Sequence, residues 1–141
     1  MSDLTVTAAD VRPLPGAVVM RFDAGGTITP GQVVYIASDG DVEAADADAA
    51  ASAIVAGIVV AGPNGKTSFS AGERVDVVVL GPVTGFSGMT PGGHAFVSTT
   101  AGAVASAAPA GSSGDYVYVV GDIVAADTIL VRPFTYDVAA Q

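Results

Sequence analysis

Short runs of valine separated by glycine, proline and acidic residues set the rhythm of the chain, and few of these runs are long enough for a helix. Alternation in Arg74-Val75-Asp76-Val77 gives way to the continuous Val78-Val79-Leu80, the pattern of a strand that passes from a surface into a core. Tyr116-Val117-Tyr118-Val119-Val120 behaves in the same way. With turn residues between the runs, the pattern predicts strands at 16–22, 32–37, 53–61, 73–80, 94–99, 115–124 and 128–134, and shorter ones at 41–44 and 103–106. The Ala-rich stretch 44–56 has helical propensity but no apolar stripe before Ile54, and its counterpart 105–114 holds Pro109 and several glycines. Both are therefore read as loops. The expectation is an all-β fold, a compact barrel or sandwich.

A second regularity lies over the first. Thr29-Pro30-Gly31-Gln32-Val33-Val34-Tyr35-Ile36 returns as Thr90-Pro91-Gly92-Gly93-His94-Ala95-Phe96-Val97. Gly40-Asp41-Val42 answers Gly102-Ala103-Val104, and Val55-Ala56-Gly57-Ile58 has a counterpart around Val119-Val120-Gly121-Asp122-Ile123. The chain thus reads as two related β units, about 26–82 and 87–134, within a single domain spanning 26–141. Thr29, Pro30, Gly31 and Thr90, Pro91, Gly92 are structural turn residues. Proline fixes φ near −65° at the second turn position, and glycine accepts the positive φ of the third, which makes a type II turn.

Residues 1–25 belong to neither copy. Pro13-Leu14-Pro15 excludes a helix interior, so 1–25 is an extended N-terminal arm leading into the first strand. Two readings of its apolar residues stay open: the arm reaches a partner, or Leu4 and Val6 add an edge strand to their own barrel.

Composition narrows the function. Fourteen Asp or Glu against five Lys or Arg give a formal charge of −9, which repels phosphate backbones and anionic lipid surfaces, so no nucleic-acid or membrane partner is expected. There is no cysteine, hence no disulfide framework and no thiolate metal site. The apolar stretch 53–61 is far shorter than the ~20 residues of a membrane helix, and Met1-Ser2-Asp3-Leu4 lacks the features of a secretory signal.

Sequences that approach catalytic patterns fail on spacing. Gly62-Pro63-Asn64-Gly65-Lys66-Thr67 ends like a phosphate-binding loop, but Val60 stands where the first glycine belongs and Pro63 removes an amide; a polar hairpin tip is the better reading. Gly85-Phe86-Ser87-Gly88 is half of a nucleophile elbow, with His94 as the sole imidazole. Asp39, Asp41, Glu43, Asp46 and Asp48 lack the order of an EF-hand and read as a solvated acidic loop. No enzyme, metal or cofactor is expected.

The pattern Gly26-Thr27-Ile28-Thr29-Pro30-Gly31-Gln32-Val33-Val34-Tyr35, then Asp39-Gly40-Asp41-Val42, then an Ala-rich link to Val55-Ala56-Gly57-Ile58, resembles the small β-rich capsid decoration, or cement, proteins of tailed bacteriophages. The resemblance covers about 24–135. It implies a non-enzymatic virion protein on the outer surface of an expanded head, made in the host cytoplasm, bound to the major capsid protein and commonly trimeric. Family members often grip the capsid through an extended terminal arm, which makes Leu4, Val6, Val11, Arg12 and Leu14 the candidate capsid contacts here. Two rivals remain: the base of a head fibre or tail spike, or another adhesin module, and a metal-assisted hydrolase built on the acidic cluster.

Overall fold

The computed structural model describes residues 3–47, 55–107 and 116–139. The protein is almost entirely β, with an antiparallel sheet curled into a half-barrel. In chain order the strands are β1 (Thr5–Val6), β2 (Arg12–Pro13), β3 (Val18–Asp23), β4 (Val33–Ile36), β5 (Val42–Ala44), β6 (Val55–Val59), β7 (Arg74–Thr84), β8 (Phe86–Ser87), β9 (His94–Val97), β10 (Val104–Ala105), β11 (Tyr116–Ala125) and β12 (Thr128–Ala139). Valine-rich runs bounded by glycine and proline thus form strands, as the pattern predicts. The expected loops 44–56 and 105–114 lie largely outside the described residues, with 44 ending β5 and 104–105 forming β10.

The strand pairing follows one order twice along the chain. In the first unit the order is β5-β4-β6-β7, and in the second it is β10-β9-β11-β12. Registers correspond residue by residue. Val33 faces Ile58, Val34 faces Gly57 and, after a bulge, Tyr35 faces Val55; His94 faces Asp122, Ala95 faces Gly121 and, after the same bulge, Phe96 faces Val119. The turn amides follow suit, since Gly31 N–H donates to Val59 O and Gly92 N–H to Ile123 O. Gly31 and Gly92 have φ of +91° and +95°, the left-handed values that the third position of a type II turn needs.

β7 joins the two units. Its first part pairs with β3 on one edge and β6 on the other, and its last four residues pair with β12, with β2 alongside. The strand runs on through Gly81 and Pro82, beyond the expected end at 80. Proline has no N–H for a ladder, and here it stands where β7 changes partners, while its carbonyl takes the Leu14 N–H at 3.0 Å.

Two cores result. Val34, Val42, Val59 and Val77 line the inner face of the first unit, and Ala24, Ile28, Phe69 and Val75 close over them. The equivalent inner face of the second unit, Ala95, Val104, Ile123 and Ile129, is covered instead by the outer face of the first, through Val33, Ile58 and Val78. The units therefore stack front to back. Burial of these side chains contributes roughly 25 cal/mol per Å² of apolar surface removed from water.

Candidate functional site

The N-terminal segment lies extended across both units. Leu4 N–H donates to Val104 O at 2.7 Å, Asp3 bridges to Ala105 and accepts a 2.6 Å hydrogen bond from Ser98 Oγ, and Thr5–Val6 pairs with β8. Val6 also packs against Gly31, so that a methyl group added there would strike it. The chain then makes one tight turn at Ala8–Asp10, and β2 and β3 continue along β7. Of the two readings of Leu4 and Val6, the geometry is that of a strand added to their own fold.

Burial sorts the five candidate contacts. Val11 is fully buried, and its carbonyl takes the Ala61 N–H at 2.9 Å, so it serves the core. Leu4 is half-buried against the same cluster. Val6, Arg12 and Leu14 are exposed. Arg12 and Pro13 line an open groove of about 540 Å³ whose other wall is Ala61, Gly62, Asn64 and Gly65. That wall is the hairpin tip between β6 and β7, a tight turn at Pro63–Gly65 in which Asn64 takes φ +57°. Lys66, the residue that a phosphate loop would use, is held by Glu73, and this pairing together with the Ser70 amide keeps the Glu73 carboxyl below its ordinary range.

A polar cluster that the sequence reading missed sits on the outer face of the second unit. His94 Nδ1 lies 2.8 Å from Asp122 Oδ1, and Arg132 Nη2 lies 2.6 Å from Asp122 Oδ2. Arg132 chiefly, and His94 after it, hold the Asp122 carboxyl below its usual value. The internal repeat carried the signal: Asp122 stands across from His94 as Ile58 stands across from Val33. Ser87 is placed on β8 opposite Thr5, apart from the β9-β11-β12 ladder that carries this cluster. In the acidic stretch, Asp39 accepts the Asp41 N–H at 3.0 Å and shapes the β4–β5 turn, and Asp48 lies outside the described residues. Among the described residues no three acidic or histidine side chains converge as metal ligands would, and no helix is long and apolar enough to cross a membrane.

Neither protein-family models nor curated proteins yield a match to this chain.

Proposed function

We propose that this protein is a capsid decoration protein of a tailed bacteriophage, which binds the major capsid protein on the outside of the expanded head and stabilises the shell by bridging capsomers. One observation carries the reading: an extended segment strapped across both β units, with Val6, Arg12 and Leu14 exposed along it and Arg12 lining an open groove. Strapping matters because a segment already ordered loses little conformational entropy on docking. Mixed apolar and cationic contacts of this kind suit a protein surface, and the formal charge of −9 is consistent with a place outside a DNA-filled shell. A ligand that binds the expanded shell and not its precursor stabilises the former by mass action, and several copies engaging one lattice add avidity.

The test is co-sedimentation of the purified protein with expanded capsids that lack decoration. Saturable binding at a symmetry-defined number of copies per particle is expected. Arg12→Glu combined with Leu14→Glu is expected to weaken binding at least tenfold while the circular dichroism spectrum stays unchanged. Absence of binding by the wild-type chain would refute the proposal, and unaltered binding by the double variant would refute the docking surface.

A further inference from the structure

β3 is an edge strand with apolar residues on both faces. Val18, Val19 and Met20 are 48%, 42% and 49% exposed, and Leu80, the register partner of Val18, is 50% exposed. Among the described residues β3 pairs with β7 alone, and just past its end a single bridge joins Ala24 to Val42. Natural sheets protect such edges with charge, bulges or a covering element, and Val18 to Met20 has only the bulge beside Val18.

The backbone shows what would fit. Ala24 N–H donates to Glu73 O and Ala24 O accepts the Gly72 N–H, both at 2.8 Å. Alternation along an antiparallel strand then turns the amide groups of Phe22 and Met20 toward β7 and those of Val19 and Arg21 outward. Two copies of β3 brought together about a two-fold axis must therefore pair through Val19 and Arg21. Centring the axis on Arg21 would set two guanidinium groups opposite each other. Centring it on Phe22 would require Asp23 and Ala24, where the strand already turns to β5. Centring it on Met20 sets Val19 against Arg21 of the partner copy in two equivalent hydrogen-bonded pairs. The same axis places Met20 against Met20, and Val18 against Phe22. No like charges meet, Met20 and Val18 meet apolar side chains, and each Val19 lies beside the aliphatic stem of an Arg21.

We infer that this protein self-associates as a two-fold dimer through antiparallel pairing of β3 with β3 of a second copy, centred on Met20. The occupant is this chain itself because β3 is self-complementary about Met20, as an isologous contact must be: this register uses both outward amides, whereas an axis on Val19 would need the Ala17 N–H, which already donates to Leu14 O. The arrangement differs from the trimer that the family resemblance implies, and it uses a different edge from the capsid-docking groove. Its outcome is thus read separately from that of the capsid experiment.

The experiment exploits a chain without cysteine. Met20→Cys places one thiol at a non-hydrogen-bonded pair, where α-carbons about 4.5 Å apart lie within disulfide reach. Under mild oxidation this variant is expected to form a covalent dimer at least tenfold faster than Val124→Cys, an equally exposed control site elsewhere. Sedimentation velocity on the wild-type chain is expected to give a dimer, and Met20→Arg a folded monomer. A wild-type monomer or trimer, or crosslinking no faster than the control, would overturn the inference. Should Met20→Arg fail to fold, the crosslinking rate and the wild-type mass decide the matter.

Discussion

Gly57 and Gly121 occupy the same bulge in the two units, each lying directly under a carbonyl oxygen of the next strand, Val78 for the first and Leu130 for the second. A β-carbon at either position would collide with that oxygen. The two glycines allow β6 to close on β7 and β11 on β12, and so set the curl of each unit.

Alanine at Gly57 or at Gly121 should therefore cost about 3 kcal/mol or more, because rigid backbone and not a flexible side chain must yield. Chemical denaturation checks this. Gly26→Ala is the control: the site has open space and no left-handed φ, and the change should stay within about 0.5 kcal/mol.

Front-to-back stacking makes equivalent positions unequal. Ile58 is fully buried between the units, whereas its counterpart Asp122 looks outward. Ile58→Asp should unfold the domain or cost more than about 4 kcal/mol, since it buries an unpaired carboxylate. Asp122→Ile should change stability by no more than about 1 kcal/mol, the ceiling for an exposed ion pair, while lowering solubility. Thermal melts and precipitation thresholds of both variants give the comparison.

Arg132→Gln removes the main cause of the depressed Asp122 pKa, and NMR titration should find that pKa moved up toward the ordinary value. The sign for stability follows. A carboxyl whose folded pKa lies below its unfolded one adds stability above the ordinary carboxylate range and loses it as pH falls through the folded value. The wild type should lose more of its advantage over Arg132→Gln as the solution is acidified below pH ~4, and salt should shrink the difference.

Removal of residues 1–14 should destabilise the fold, because Val11 leaves the core and the bonds from Leu4 to Val104 and from Ala61 to Val11 are lost. Val11→Ala alone should cost about 1 to 3 kcal/mol. Equal denaturation midpoints for the truncated and full-length chains would show that the segment is not part of the folded unit.

How much was legible in the sequence follows from the range of the interactions involved. Alternating valines and the Thr-Pro-Gly turns act over a few residues, so the all-β class and most strand positions could be read directly. The end of β7 could not. Gly81 and Pro82 look locally like a turn, and only the change of partner strand around them lets the strand continue. Nor could the fate of the N-terminal segment be read, because nothing local distinguishes Val11, which enters the core, from Leu14, which stays outside. The pairing of His94 with Asp122 and Arg132 needed three strands brought side by side. Short-range backbone preference and side-chain period thus determined the elements. The tertiary fold alone decided which of two equivalent faces would be buried, because burial depends on what packs against a face and not on the residues that form it.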